Sequence, residues 1–159
     1  MKYKKVMSRQ LLVPVDGSPL SKQALEYAFE HHSDAAIVAL HIVDPSEPGY
    51  SSATPVDVRN EPPHGSEAWY ERAAEEEEQV FDEVRELAAE HDADLTTESK
   101  TGDPAREIID YAEEHDIDGI VMGGHGRTGP SRLLLGSVTE LVVARSPVTV
   151  TVVRNAAEQ

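Results

Sequence analysis

Short apolar runs alternate along this chain with segments of helical periodicity, and this alternation constrains the fold more than any other feature. A short apolar run bounded by turn residues is typical of a buried strand. Strands that alternate with helices favour a parallel sheet with helices on both faces. We therefore predict a three-layer α/β fold, flavodoxin-like or Rossmann-like, with five mainly parallel strands. The predicted strands are Leu11–Val15, Ala35–Val43, Asp94–Lys100, Ile117–Met122 and Pro147–Val153.

The first predicted strand is followed by a turn and a helix start. Asp16 ends the apolar run, Ser18 is a favourable N-cap, and Pro19 fits the first helical turn. In open parallel sheets, ligands bind beyond the carboxyl ends of the strands, where the winding order reverses. If the chain winds first one way and then back, Asp16 and the end of the fourth strand, at Met122 and Gly123, are neighbours at that point.

The regions outside the buried strands are also distinctive. Residues 44–66 are rich in Pro, Ser, Gly and Glu without a sustained period, which predicts a variable surface loop. The next helix buries a face that includes Trp69, and we predict that Glu75 to Glu78 form its solvated side. The polar segment Asp94–Lys100 and the alternating segment Pro147–Val153 are predicted to be outer strands of the sheet.

Composition narrows the classes of function. The 30 acidic and 14 basic residues give a formal charge of -16, which opposes binding to nucleic acid. The chain has no cysteine, and no apolar run is long enough to cross a bilayer or to form a signal-peptide core. We therefore expect one soluble cytoplasmic domain over residues 1–159, starting at Met1 or Met7, with no nucleic-acid or membrane partner.

The acidic excess also predicts a halophilic archaeal source. Lysine is scarce after the first nine residues, where only Lys22 and Lys100 remain. At about 1 M salt the Debye length is roughly 3 Å, so a salt-rich cytoplasm screens the repulsion within such a chain. An ordinary acidic protein is the alternative.

A glycine-rich turn after the fourth strand carries the strongest chemical signal. The glycines of 123–129 allow backbone N–H groups to approach phosphate without interference from Cβ, and Arg127 adds a cation. A second cluster at 136–139 opens the next helical stretch, where Ser137 and Thr139 offer hydroxyl and amide donors. The first cluster alone is equally well explained as a turn. Together, the two clusters predict a site for an anion such as a triphosphate.

These segments spell G-x-x-G, nine residues, then G-S, and in this pattern the chain resembles the ATP-binding members of the universal stress protein family. Gly123, Gly126, Gly136 and Ser137 fit the motif without a gap. The resemblance extends through most of the chain and is missing only from the loop at 44–66. It implies an adenine nucleotide alpha hydrolase-like form of the predicted fold, with ATP or AMP as the ligand.

The resemblance also implies roles for individual residues. Asp16 lies near the ribose and phosphates, where its carboxylate can accept from a ribose hydroxyl or hold Mg²⁺ through water; capping the turn before Ser18 is its alternative role. Arg127 stands where family members often carry lysine, which changes the geometry of its phosphate contact. The implied adenine frame is Pro14, Val15, Ile42 and Met122, and the implied ribose and phosphate surroundings are Gly123, Gly126, Arg127, Gly136, Ser137, Val138 and Thr139.

The family resemblance implies a homodimer that pairs through the strand at 147–153, with a covering loop as the alternative protection of that edge. We expect a nucleotide-dependent stress sensor or regulator that is recognised by an unidentified protein client. No catalytic base is identifiable and the P-loop lysine pattern is absent, so we expect little or slow hydrolysis. A slow ATPase and a nucleotide-free dimeric scaffold are the alternatives.

Two other ligand classes fit the sequence less well. The spacing of Gly124, Gly126 and Gly129 matches the dinucleotide fingerprint, but it follows the fourth strand and lacks an acidic residue about 20 positions later. The 7 histidines show no metal-ligand spacing, and most of them are expected at the surface or at helix ends. His125, inside the glycine turn, is the exception that is in reach of a ligand.

Overall fold

The computed structural model describes residues 9–45, 65–124 and 136–154. Within these ranges, strands and helices alternate in the predicted order. The strands are β1 (Gln10–Pro14), β2 (Ala36–Val43), β3 (Asp94–Thr101), β4 (Gly119–Gly123) and β5 (Thr149–Val153), and the helices are α1 (Pro19–His31), α2 (Glu67–Glu90), α3 (Pro104–Glu114) and α4 (Ser137–Arg145).

The described strands form one parallel sheet in the order β3-β2-β1-β4-β5. β1 is central, so that Leu12 lies beside Val38 of β2 on one side and beside Ile120 of β4 on the other. The chain winds outward from β1 to β3, crosses to the other side of β1 and continues to β5. The predicted five-stranded parallel α/β fold is confirmed, and its winding order reverses between β1 and β4.

Each face of the sheet carries its own hydrophobic core. Successive side chains of a strand point to opposite faces, so Leu11 and Val13 of β1 enter one core while Leu12 enters the other. Helices α1 and α2 pack on the first core, and α3 and α4 pack on the second. These two helical layers flank the sheet and give the predicted three-layer arrangement.

Side-chain caps define the starts of three helices. Ser18 accepts a hydrogen bond from Ser21 N–H at α1, Ser66 accepts from Trp69 N–H at α2, and Asp103 accepts from Arg106 N–H at α3. An N-cap of this kind contributes about 1 kcal/mol of stability. The helix starts predicted at Ser18 and Asp103 are confirmed.

The outer strands are β3 and β5, as the sequence predicts. β5 begins at Thr149 rather than at Pro147, because a local turn precedes it: Ser146 Oγ accepts from Val148 N–H at 3.0 Å and donates to Val148 O at 2.7 Å. The loop predicted at 44–66 lies mostly outside the described residues. The flanking elements, β2 and α2, end at Val43 and begin at Glu67.

Glu76 and Glu77 are half-buried, so the prediction of a solvated side at 75–78 is wrong at these two positions. Glu77 binds side chains of the sheet. Its Oε2 lies 2.6 Å from Nδ1 of the buried His41 on β2 and accepts from Ser99 Oγ of β3 at 2.7 Å. Glu77 follows Ala73 and precedes Phe81 by one helical turn each, and both of those side chains are buried. That i, i+4 row on the buried face of α2 is the sequence signal that distinguishes Glu77 from Glu78, which is exposed.

The histidines outside β2 behave as predicted where the structure describes them. His31 is the last residue of α1, and His32, His91 and His115 are the C-caps of α1, α2 and α3. His41 is an exception among the histidines: it is buried within β2, inside the strand Ala35–Val43 that the sequence predicts. His64 and His125 lie outside the described residues.

None of the helices in the described part of the chain combines the length and the apolar composition that a membrane span requires. The longest of them, α2, carries charged residues through most of its length.

Candidate functional site

The turn after β1 is held by Asp16 and two serines. Asp16 Oδ1 accepts from Ser18 N–H at 2.9 Å, and Asp16 N–H donates to Ser21 Oγ at 3.3 Å. The carboxylate therefore performs the turn-capping role that the sequence left open as an alternative. A carboxylate has two oxygens with several acceptor positions, so this bond leaves capacity for a ligand.

Gly123, the last residue of β4, lies against the first turn of α1. A Cβ added at Gly123 would lie 2.9 Å from Leu20 Cβ and 3.2 Å from Leu20 C and O. A side chain at Gly123 would therefore fit only if the first turn of α1 moved away from β4. The glycine predicted to admit a phosphate is thus needed for the close packing of α1 on β4, and Leu20 is a contact that the sequence reasoning missed.

The first turn of α4 is hydrogen-bonded to the same end of β4. Gly136 N–H donates to Gly124 O at 2.6 Å, and Thr139 Oγ1 donates to Gly123 O at 2.8 Å. The first of these bonds reveals Gly124, which the sequence reasoning did not include in the site, as a link between β4 and α4. The starts of α1 and α4 therefore meet at the end of β4. The predicted convergence of the two donor clusters also involves Gly126 and Arg127, which lie outside the described residues.

The start of α4 differs chemically from the other helix starts in the described ranges. Gly136 is its N-cap and no side chain caps it, whereas serine or aspartate caps α1, α2 and α3. The first intrahelical bond runs from Glu140 N–H to Gly136 O at 2.9 Å, so the three preceding amides have no acceptor within the helix. Together with the helix dipole, such amides favour an anion. They belong to Ser137, Val138 and Thr139.

The hydroxyl of Thr139, one of the donors predicted for the anion, donates to the protein backbone instead. The hydroxyl of Thr139, which is 3% exposed, donates its single proton to Gly123 O, so it does not donate to an anion as the sequence suggested. Ser137 is exposed and is the first residue of α4. Glu140, also in the first turn, is exposed and its charge opposes an anion there.

The residues predicted to frame an adenine are divided between the two faces of the sheet. Ile42 and Met122 are buried together in the core beneath α3 and α4, whereas Val15 belongs to the core beneath α1 and α2. Pro14, at the end of β1, is half-buried. The structure therefore brings Ile42 and Met122 together and places Val15 across the sheet from them, next to the Asp16 turn.

Two predicted ligand residues, Gly126 and Arg127, lie outside the described residues, as does His125. The described ranges contain no group of three or more histidine or acidic side chains arranged to hold a metal ion. Mg²⁺ is usually bound through one or two carboxylates together with waters and substrate phosphates. Asp16 supplies one carboxylate just beyond the carboxyl end of β1, so the residues fit a hydrated Mg²⁺ that arrives with a polyphosphate.

These elements define a doubly wound α/β protein with an uncapped helix start at the point where the winding reverses. The universal stress protein family model matches residues 7–154, and the chain belongs to that family. Universal stress protein MJ0531 of Methanocaldococcus jannaschii is 34% identical over 149 residues, covering 92% of this chain and 82% of that protein. The solved structure of universal stress protein UspA from Lactobacillus plantarum is 30% identical, with a TM-score of 0.70, and the match covers 92% of this chain and 97% of that chain.

Two more distant structures share the fold and contain a nucleotide. A universal stress protein family member from Arabidopsis thaliana, solved with AMP bound, is 20% identical with a TM-score of 0.64, and the match covers 94% of each chain. A universal stress protein solved in complex with cAMP is 22% identical with a TM-score of 0.65, and the match covers 92% of this chain and 97% of that chain.

Proposed function

We propose that this chain, as a single domain over residues 1–159, binds ATP or AMP in the crevice between the ends of β1 and β4. In this proposal it is a cytoplasmic, nucleotide-dependent regulator of a stress response. The observation that carries the proposal is the meeting, at Gly123, of the uncapped start of α4 and the first turn of α1, which directly follows the Asp16 turn. Support also comes from the family and from the AMP and cAMP complexes of its fold relatives.

The phosphates are proposed to bind at the first turn of α4. The amides of Ser137, Val138 and Thr139 donate to the phosphate oxygens, and Gly126 and Arg127 complete the surroundings from outside the described residues. Asp16 accepts from the ribose, or holds Mg²⁺ through water when ATP is bound. The proposed surroundings also include Gly123 and Gly136 at the phosphates, and Pro14, Val15, Ile42 and Met122 at the adenine.

The net charge of -16 works against this ligand, and local donors must outweigh it. A hydrogen bond to a charged group contributes about 1.5–3 kcal/mol, so three amides contribute roughly 4.5–9 kcal/mol before the cost of association. Exposed charges further away than a Debye length are largely screened, and that length is roughly 3 Å at 1 M salt. Binding is therefore proposed to strengthen as the salt concentration rises.

We propose little or slow hydrolysis, because the P-loop lysine pattern is absent from the sequence and the sequence alone identifies no catalytic base. In this scheme the two nucleotide states of the protein differ in a surface that a client protein recognises. A bound ligand shifts such an equilibrium only by its difference in affinity for the two states. The nucleotide-free scaffold and the slow ATPase are outcomes that the next experiment distinguishes.

Calorimetry with AMP and Mg-ATP in molar KCl tests the proposal. We expect both nucleotides to bind and Asp16→Asn to weaken binding by about 10-fold, because the charge-assisted bond is lost while Asn keeps an acceptor for the Ser18 amide. Asp94→Asn, a change of an exposed carboxylate at the start of β3, is the matched control and should bind normally. No heat and no thermal shift at millimolar nucleotide would support the scaffold, and steady phosphate release that Asp16→Ala abolishes would support the ATPase.

We propose a homodimer on the basis of the outer strand β5, and a halophilic source on the basis of the net charge of -16. β5 is an outer strand, Val153 O accepts from Gly124 N–H on the β4 side, and the backbone groups of Val152 therefore face away from the sheet. The neighbouring helix exposes Leu141 and Val143. We propose that two copies pair antiparallel along β5.

Light scattering and thermal melting across a KCl series test both statements. In molar KCl we expect a mass twice that of the 17.4 kDa chain, and a melting temperature that rises from dilute buffer to molar salt as repulsion is screened. Val152→Pro removes an outward-facing N–H and should convert the protein to the monomer. A monomeric wild type would refute the dimer, and a melting temperature independent of salt would refute the halophilic source.

A further inference from the structure

Thr139 occupies an unusual place for a residue with a polar side chain. It is the third residue of α4, it is 3% exposed, and its Oγ1 donates to Gly123 O at 2.8 Å. One turn earlier, Gly136 N–H donates to Gly124 O at 2.6 Å. Both carbonyls at the end of β4 are thus bound by the first turn of the same helix.

These two hydrogen bonds differ in whether they depend on a side chain. The bond from Gly136 joins backbone to backbone and persists with any residue except proline at that position. The bond from Thr139 depends on a side chain, and its β-branched Cβ restricts rotation about χ1, so the hydroxyl is held towards the strand. The side chain of Thr139 therefore fixes how α4 sits on β4.

Through Gly123, the placement of α4 on β4 affects the amides that are proposed to bind the phosphates. The backbone of Gly123 is in close contact with Leu20 in the first turn of α1, and its carbonyl accepts from Thr139 in the first turn of α4. A shift of Thr139 relative to Gly123 moves the amides at the start of α4 with respect to the Asp16 turn. Because hydrogen bonds weaken steeply away from linear geometry, a small displacement of these amides reduces their attraction for phosphate.

We propose that Thr139 is a positioning residue in the binding of the nucleotide's phosphate groups. Its hydroxyl fixes the position of the first-turn amides of α4 and does not itself contact the ligand. The inference rests on the proposed nucleotide site and separates the residues that bind the phosphates from the residue that holds them in place. The affinity for the phosphate groups depends on the Thr139–Gly123 bond, whereas the affinity for the nucleoside does not. Serine retains this function, because it supplies the same hydroxyl.

Calorimetry with adenosine, AMP and ATP on Thr139→Val and Thr139→Ser tests this assignment. Thr139→Val has nearly the same shape without the donor, so we expect the affinity for AMP and ATP to fall by roughly 10-fold while the affinity for adenosine changes less than about 2-fold. Thr139→Ser should restore nucleotide affinity to within about 3-fold of wild type. Equal losses for adenosine and AMP in Thr139→Val, or unchanged AMP affinity, would overturn the proposal.

A measurement without ligand separates failure of this proposal from failure of the nucleotide site. Amide hydrogen exchange at Glu140, whose N–H bonds to Gly136 O in the first turn of α4, reports how firmly that turn is held. We expect exchange there to be roughly 10-fold faster in Thr139→Val and unchanged in Thr139→Ser. A wild type that binds no nucleotide refutes the proposed function, whereas exchange at Glu140 that is the same in Thr139→Val as in wild type refutes the positioning role.

Discussion

Replacing Trp69 by alanine is expected to lower the free energy of unfolding by about 3–5 kcal/mol, the range for deletion of a buried aromatic ring. Trp69 is fully buried in the first turn of α2 and packs in one cluster with Val43, at the end of β2, and Ala73. The ring therefore ties the start of α2 to the carboxyl end of β2. Its loss leaves a cavity that the helix and strand can fill only by moving together.

Urea unfolding followed by circular dichroism measures this effect, since the chain has 1 tryptophan and the variant has no indole signal. Tyr70→Ala is the matched control: Tyr70 is the next residue of the same helix and is 41% exposed, so its removal should cost less than about 1 kcal/mol. Trp69→Phe should fall between the two. Equal losses for Trp69→Ala and Tyr70→Ala would mean that this cluster does not stabilise the fold.

The sequence was sufficient to predict five mainly parallel strands and which of them are outer strands, for reasons that are local. The apolar runs that became β1, β2 and β4 are nearly continuous because these strands are buried on both faces. The polar run that became β3 has its place at the edge for the opposite reason. Helix starts were equally predictable, because Ser18 and Asp103 act on amides only three residues away.

Contacts between distant segments were harder to predict. Glu77 was assigned to solvent with its neighbours, although it meets His41 and Ser99 across the α2–sheet interface. Within the run of four glutamates, only the i, i+4 spacing to Ala73 and Phe81 separates Glu77 from Glu78. The pairing partner of Glu77 lies 36 residues earlier in the chain, and no pattern within α2 indicates it.

The same limit applies to the candidate site. The sequence predicted that the ends of β1 and β4 are neighbours if the chain winds first one way and then back, and the observed strand order confirms that condition. It assigned the hydroxyl of Thr139 to a ligand and Gly123 to phosphate access, whereas both residues make the contacts that join α1, β4 and α4. A residue that holds the elements of a site together and a residue that contacts the ligand can have the same identity and spacing in the sequence. Only the contacts in the folded structure distinguish the two roles.

Substituting Gly123 by alanine is expected to cost about 1–3 kcal/mol of stability, the range for overpacking in a well-packed core, and to weaken nucleotide binding as well. The new Cβ would lie 2.9 Å from Leu20 Cβ and 3.2 Å from the Leu20 carbonyl carbon and oxygen. These atoms belong to the start of α1 and cannot rotate away as a side-chain tip can. The first turn of α1 must therefore move from β4, and the Asp16 turn that precedes it moves too.

Gly119→Ala at the other end of β4 is the control for the general effect of alanine in this strand. There the nearest atom to a new Cβ is Leu11 Cδ2 at 3.1 Å, the end of a flexible side chain, and Thr149 O is 3.6 Å away. Urea unfolding should rank Gly123→Ala as the more damaging change, and calorimetry should show weaker AMP binding in Gly123→Ala than in Gly119→Ala. If the two variants unfold at the same urea concentration, the close contact between α1 and β4 does not constrain the fold, and Gly123 is free to serve the ligand alone.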